Sequence, residues 1–247
     1  MKAYITNIEY VLPKKVEENP KNRLTKKTGI FKRHICSDNE IASDLAFSAA
    51  EKIFKTGVDK SEIDYLILCT QSPDYYLPTT ACILQDKLGL PKTCGAFDYN
   101  LGCSGYIYGL SIAKGLIESN QAKNVLLLTA ETYSKYINYQ DNTVVPLFGD
   151  AATATLLSGI DTEQSGLNGF VLGTDGSGYN NLIVPVGGMK NRSTKTEVVE
   201  TTDDFGNTRT NSDLYMNGSA ISDFALEVVP KTLEKVLEET NLTKDDI

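Results

Sequence analysis

Residues 98–106 read D-Y-N-L-G-C-S-G-Y and decide the fold of this chain, because a predicted strand ends within this stretch and a predicted helix begins. The strand covers residues 96–99. Residues 104–118 carry apolar side chains at helical spacing, namely Ile107, Leu110, Ala113 and Ile117. The passage from strand to helix therefore places one cysteine, Cys103, at a helix start.

Strands and helices alternate on both sides of this passage. Residues 3–12 and short apolar runs at 65–69, 125–129 and 151–157 predict strands, and helices are predicted after 40 and after 78. Ser37 and Glu40 have capping-box spacing ahead of the first of these helices. The alternation predicts an α/β fold whose parallel sheet is covered on both faces. Its expected core comprises Leu66, Leu68, Phe97, Leu126 and Leu128.

The pattern changes after residue 170, where we expect one unit (1–170) to end and another (171–247) to begin. Glycines split short strands over 167–186, and residues 187–213 are polar enough to predict a surface excursion. A final helix is predicted over 218–240, kinked at Pro230. The last seven residues have the character of the linker 58–64, which leads into a strand, so we expect the chain to be a fragment that stops before such a strand.

Composition and charge exclude several functional classes. The 247 residues carry a net charge of −8, which argues against a nucleic-acid-binding surface. The locally basic run 21–33 is interpreted either as a solvated loop or as a landing site for an anionic ligand such as a phosphorylated carrier. No apolar run approaches the roughly 20 residues of a membrane span, and the polar residues that follow the first five lead us to expect no secretory leader. Five cysteines without zinc spacing favour free thiols in a reducing cytoplasm.

Cys103 is the candidate nucleophile. Unsatisfied N–H groups and the helix dipole at a helix start favour the thiolate, which is the reactive form. The alternative is a buried structural cysteine, the commonest fate of a free thiol. For Cys69, Cys82 and Cys94 core packing is the expectation, because none has this strand–turn–helix context.

Five segments, in order, resemble the β-ketoacyl-[acyl-carrier-protein] synthase III family of the thiolase-like superfamily. Residues 100–106 resemble its active-site segment. The other four lie on both sides of it, at 27–34 (K-T-G-I-F-K-R-H), 77–82 (L-P-T-T-A-C), 148–152 (F-G-D-A-A) and 175–188 (D-G-S-G to P-V-G-G).

The resemblance implies a thiolase-like α/β fold: an amino-terminal βαβαβ half with a mixed, mostly parallel sheet, plus part of the second half. It also implies that Cys103 takes an acyl group from a coenzyme A or carrier-protein thioester and passes it to malonyl-carrier protein by decarboxylative condensation. Acyl-carrier protein and a second copy of the chain would be its partners. No metal or resident cofactor is implied, since coenzyme A or phosphopantetheine enters as substrate.

The sequence departs from the family pattern in three ways. The family's catalytic His and Asn lie beyond the residues matched here, and the only histidine, His34, is not at that position, so we expect no condensation by this chain alone.

The protein has no tryptophan, whereas the family stacks one on the adenine of coenzyme A. Lys27 aligns with a basic residue that contacts the nucleotide. Because the tryptophan is missing, we expect the acyl donor to be carrier-bound. Leu77 aligns with a residue that caps the acyl pocket and is often aromatic, so we expect acyl groups longer than acetyl, unless Leu77 only packs in an interface.

Two other functions stay open from the sequence. The chain is either a non-catalytic half-module that dimerises or docks carrier protein, or a cysteine thioester hydrolase that uses Cys103. A Cys–His protease pairing of Cys103 with His34 is less favoured than a structural His34. Asp150 and Glu131 stand at strand ends and are expected to have structural hydrogen-bonding roles.

Overall fold

The computed structural model describes residues 1–247 and divides into two compact units. The first comprises residues 1–16, 34–132 and 150–170, and the second comprises 17–33, 133–149 and 171–247. A unit boundary falls between residues 170 and 171, where the sequence analysis places one. The segments 17–33 and 133–149 nevertheless belong to the second unit, so neither unit is one continuous stretch. Whether each unit is a domain stays a prediction.

The chain contains eleven strands and five α-helices. The strands are β1 (Lys2–Val11), β2 (Lys15–Glu18), β3 (Lys32–Ile35), β4 (Tyr65–Cys69), β5 (Gly95–Tyr99), β6 (Asn124–Glu131), β7 (Ala151–Ile160), β8 (Leu182–Ile183), β9 (Glu200–Thr202), β10 (Thr208–Thr210) and β11 (Tyr215–Met216). The helices are α1 (Arg23–Thr28), α2 (Ala42–Phe54), α3 (Thr80–Lys87), α4 (Gly105–Glu118) and α5 (Gly218–Thr240).

The first unit is built on a five-stranded sheet with the order β1-β7-β6-β4-β5. β4 pairs in parallel with β5 and β6, whereas β7 is antiparallel to both β6 and β1. The sheet is therefore mixed, as the resemblance implies, but the prediction that it is mostly parallel is wrong, because half of its pairings are antiparallel. The reason is the connection from β6 to β7: a parallel return needs a crossover, usually an α-helix, and this segment contains only a short 3-10 helix, Tyr133–Tyr136.

Alternation along β4 and β6 sends apolar side chains to both faces of the sheet. On one face Leu66, Leu68, Leu126 and Leu128 pack with α2 and α3, and on the other Ile67 and Leu127 pack with α4. Of the five predicted core residues, these four leucines are at most 1% exposed, and Phe97 is partly buried beside α4. The sheet is thus the middle layer of a helix–sheet–helix unit, with α2 and α3 on one face and α4 on the other.

Two predicted helix details are wrong. Ser37 and Glu40 form a turn, with Glu40 N donating to Ser37 O at 3.1 Å, and do not cap α2. The cap lies further along, where Ile41 N donates to the Asp44 carboxylate at 3.3 Å. Ile107 is 46% exposed and therefore lies outside the buried face of α4, which comprises Gly105, Gly109, Leu110, Ala113 and Ile117.

In the second unit the predicted excursion over 187–213 is more ordered than its polar sequence indicates. β9 and β10 form a hairpin, and Asn207 and Thr208 are buried. Arg209 donates to the fully buried Asp141 carboxylate at 2.7 Å, a charge-assisted bond that anchors the hairpin. The final helix is confirmed as α5, which is continuous through Pro230.

None of the helices combines the length and the apolar character that crossing a membrane requires.

Candidate active site

Cys103 lies on the turn between Tyr99, the last residue of β5, and Gly105, the first residue of α4. Its thiol is exposed. The turn is tightened by a hydrogen bond from Gly105 N to Gly102 O at 2.8 Å. The predicted strand–turn–helix setting of Cys103 is therefore present in the structure, and the alternative of a thiol sealed in the core does not apply.

Two glycines allow α4 to lie directly on the sheet beneath this turn. A Cβ atom on Gly105 would overlap the sulfur of Cys69, on β4. A Cβ on Gly109 would lie 2.7 Å from Cδ1 of Leu127, on β6, closer than real Cβ atoms come to other heavy atoms. Gly105 therefore sets how closely the helix start approaches β4.

The other cysteines divide into buried and exposed thiols. Burial, reinforced by Asp150, raises the pKa of Cys36 to about 12, and burial raises the pKa of Cys94 to about 11. Cys69 is also buried. The prediction that Cys82 packs in the core is wrong: it lies on the outward side of α3 and is exposed. Two thiols, those of Cys82 and Cys103, are thus accessible in the folded chain.

Glu131 is the last residue of β6 and carries a partly buried carboxyl at the end of the sheet where β4 and β5 also end. It accepts hydrogen bonds from Gln71 N at 2.8 Å and from Ser72 Oγ at 2.9 Å. Burial outweighs these two bonds and, with a contribution from Asp150, raises the pKa of Glu131 to about 7. Its two hydrogen bonds tie the segment after β4 to the end of β6, which agrees with the structural role expected for it.

Asp150 and His34 are neighbours in the first unit, joined by a backbone hydrogen bond. Asp150 is 2% exposed, accepts from Cys36 N at 2.7 Å, and donates its own amide to His34 O at 2.8 Å. The Nδ1 atom of His34 is 2.7 Å from Pro13 O. Because a carbonyl can only accept, Nδ1 carries a proton there. These contacts agree with the structural roles that the sequence analysis favours for both residues.

Leu77 lies on the segment between β4 and α3, with 81% of its surface exposed. The aromatic side chains of Tyr75 and Tyr76 precede it and are exposed as well. The segment is held at both ends. Asp74 Oδ2 accepts from Ser43 Oγ at 2.9 Å, and the first amides of α3 donate to Asp98.

Lys27 lies on the short helix α1 of the second unit and is exposed. An αL residue, Gly29, ends this helix, with its amide donating to Thr25 O at 2.9 Å. Arg33, in the same basic run, is buried and donates to Glu17 and to Phe148 O, at 3.1 Å each. The run 21–33 therefore divides into exposed cations, which are four lysines and Arg23, and one buried arginine, Arg33. No group of three or more His, Cys, Asp or Glu side chains is arranged to hold a metal ion.

A helix–sheet–helix unit with a mixed five-stranded sheet, and an exposed cysteine where β5 passes into α4, defines the thiolase-like class. The family model described as 3-oxoacyl-[acyl-carrier-protein (ACP)] synthase III matches residues 97–176, which include Cys103. A crystal structure of a 3-oxoacyl-(acyl-carrier-protein) synthase III superposes with a TM-score of 0.97 at 44% identity, covering all of this chain and 77% of the other. That of the 3-oxoacyl-(acyl-carrier protein) synthase from Burkholderia xenovorans LB400 gives 0.85 at 32% identity, covering 99% and 71%.

Among curated proteins, the β-ketoacyl-[acyl-carrier-protein] synthase III of Natranaerobius thermophilus is 36% identical over 94% of this chain and 69% of its own length. The chain therefore belongs to the 3-oxoacyl-[acyl-carrier-protein] synthase III family. It spans 63% of one curated relative and 75% of another. These matches do not confirm the expectation that the chain is a fragment.

Proposed function

We propose that this protein is a 3-oxoacyl-[acyl-carrier-protein] synthase III that forms an acyl-Cys103 intermediate. The observation that carries this proposal is the exposed thiol of Cys103 on the turn into α4. The thiolate sulfur attacks the carbonyl carbon of a coenzyme A or carrier-protein thioester. The bond from that carbon to the donor sulfur breaks, and the donor thiolate leaves and takes up a proton.

In the second half of the reaction malonyl-carrier protein loses carbon dioxide. The resulting carbanion attacks the acyl-Cys103 carbonyl, the bond to Cys103 breaks, and a 3-oxoacyl thioester is released. This step needs donors that stabilise an enolate and an oxyanion, each worth about 10²–10³ in rate. The only imidazole in the sequence belongs to His34, which is engaged with Pro13 O. The 247 residues by themselves should therefore accept an acyl group without condensing it.

Lys27 is proposed to contact the nucleotide of a coenzyme A donor. It is an exposed cation in a basic run, but the sequence offers no tryptophan to stack on adenine. A carrier-bound donor is accordingly the preferred substrate. Lys27→Ala should weaken binding of a coenzyme A thioester about threefold to fivefold, as expected for an exposed ion pair, while Lys92→Ala, which removes another exposed lysine, should not. Tight binding of acetyl-coenzyme A with weak binding of acyl-carrier protein would contradict this preference.

We also infer a homodimer. The exposed tyrosines and leucine of the Leu77 segment support it, because contiguous exposed apolar side chains mark interaction sites. Sedimentation should give twice the chain mass. The five free thiols agree with a reducing compartment, and the cytoplasm stays our expectation.

Intact-mass spectrometry after incubation with an acyl thioester tests the function and separates it from its competitors. A stable mass increase of one acyl group, absent in Cys103→Ser, is the expected result. Turnover to free acid without a stable adduct would instead indicate a thioester hydrolase. Absence of both would indicate a half-module that only dimerises or docks carrier protein.

A further inference from the structure

Cys69 and Tyr99 lie under the two ends of the turn that carries Cys103. Cys69 is the last residue of β4, and its Sγ donates to Leu101 O at 3.1 Å. Tyr99 is the last residue of β5, and its hydroxyl donates to Gly105 O at 2.6 Å. One acceptor precedes Cys103 by two residues and the other follows it by two.

The two side chains also interact with each other, and both stay protonated. Burial is the main cause that raises the pKa of the Cys69 thiol, and burial likewise raises the pKa of Tyr99. A neutral thiol and a neutral phenol each keep the proton that they donate to a backbone carbonyl of the turn. The chemistry of the pair therefore suits donation rather than nucleophilic attack.

The steric fit is equally close. The space that a Cβ on Gly105 would need is occupied by the sulfur of Cys69. The Cys69 sulfur therefore packs directly against the first residue of α4, the same residue whose carbonyl accepts the bond from Tyr99. The position of the turn is fixed by contact and by two hydrogen bonds at once.

We infer that Cys69 and Tyr99 are positioning residues, which hold the Leu101–Gly105 turn so that the Cys103 sulfur meets an incoming thioester carbonyl. The inference rests on the proposed function of Cys103. Acyl transfer needs the sulfur and the carbonyl held in a near-attack geometry, and a misplacement of about 1 Å can cost 10²-fold. Alkylation by iodoacetamide needs only an accessible thiolate, so the two reactions should respond differently when the turn is released.

The experiment compares Tyr99→Phe, Cys69→Ala and Cys69→Ser with a matched control, Tyr4→Phe. Tyr4 also donates its hydroxyl to a backbone carbonyl, Gln164 O at 2.8 Å, but lies on β1. Rates of acylation by an acyl thioester and of alkylation of Cys103 are measured for each. Tyr99→Phe and Cys69→Ala should acylate at least about fivefold more slowly while alkylation changes less than twofold. Cys69→Ser keeps a donor and should recover most of the rate, and Tyr4→Phe should match the parent.

Hydrogen–deuterium exchange of the amides from 101 to 105 gives a readout that does not depend on acyl transfer. Exchange should quicken in Tyr99→Phe and Cys69→Ala but not in Tyr4→Phe. If the parent chain is not acylated but this exchange pattern appears, the proposed function fails, whereas the inference that Cys69 and Tyr99 hold the turn is retained. If acylation and exchange in Tyr99→Phe equal those in Tyr4→Phe, the inference is overturned, even if Cys69→Ala fails to fold.

Discussion

Asp98 Oδ2 accepts a hydrogen bond from Thr80 N at 2.7 Å, so the strand that leads to Cys103 also holds the first turn of α3. The second oxygen of Asp98 accepts from Ala81 N at 2.6 Å. The two bonds satisfy amides that a helix start otherwise leaves unpaired. Asp98 thereby ties the end of the Leu77 segment to the same strand that leads to Cys103.

Removal of this cap should destabilise the first unit. Asp98→Ala is expected to lower the free energy of unfolding by about 1–2 kcal/mol, the usual cost of losing a helix cap. Urea titration followed by circular dichroism measures it. Asp86→Asn, which changes an exposed carboxylate on the same helix, is the control and should cost less than about 0.5 kcal/mol. Equal stabilities of the two variants would show that the Asp98 bonds do not hold α3.

Leu77 should set the acyl chain length. A leucine is smaller and more pliable than the aromatic residue often found at the aligned position in the family, so the parent chain should accept acyl groups longer than acetyl. Leu77→Phe should shift the ratio of octanoyl to acetyl acylation rates at Cys103 toward acetyl by about tenfold, in line with the 1–3 kcal/mol that a methylene-sized change in a pocket contributes. Tyr75→Phe is the matched control in the same segment. A strict preference of the parent for acetyl, or an unchanged ratio in Leu77→Phe, would reject the pocket role and leave Leu77 as interface packing.

Glu131 should make stability depend on pH around neutrality. Its pKa in the folded chain, about 7, is above the reference value of 4.5. The folded state therefore holds the proton more tightly, and the stabilisation is complete below pH 4.5 and lost as the pH rises through about 7. The difference amounts to about 3 kcal/mol between the two limits.

Urea titrations at pH 5.5, 7 and 8.5 measure this dependence. The free energy of unfolding should fall across the series in the parent and in Glu62→Gln, an exposed control, and much less in Glu131→Gln. A parent whose stability does not change between pH 5.5 and 8.5, or a Glu131→Gln variant with the parent's dependence, would contradict the assignment.

Thiol labelling should distinguish the five cysteines. In the folded chain at pH 7.5, iodoacetamide should modify Cys103 and Cys82, because these two are exposed. Cys36, Cys69 and Cys94 are buried with raised pKa values, so they should react only in denaturant. Peptide mapping of the native and denatured chain provides the comparison. Native labelling of Cys36 would show that the packing of the first unit is not as described.

The sequence predicts the middle of the first unit well and its edges less well. The apolar runs of β4 and β6 and the passage into α4 are local signals, and each element lies where its pattern places it. The direction of β7 could not be predicted, because antiparallel pairing depends on how the chain turns after β6. The exposure of Cys82 likewise depends on which side of α3 packs on the sheet.

The candidate site was only partly predictable. Cys103 has a sequence signal, since glycines flank it between a strand pattern and a helix pattern. Cys69 and Tyr99 have none, because their roles arise only when the ends of two parallel strands meet beneath one turn.

The site of acylation tests the account most directly. The chain, its Cys103→Ser variant and its Cys82→Ser variant are incubated with an acyl thioester, digested, and sequenced by tandem mass spectrometry. The acyl mass should appear on Cys103 in the parent and in Cys82→Ser, and on no residue of Cys103→Ser. An acyl group carried by Cys82, or an unmodified Cys103 in a folded chain, would contradict the assignment of Cys103 as the nucleophile.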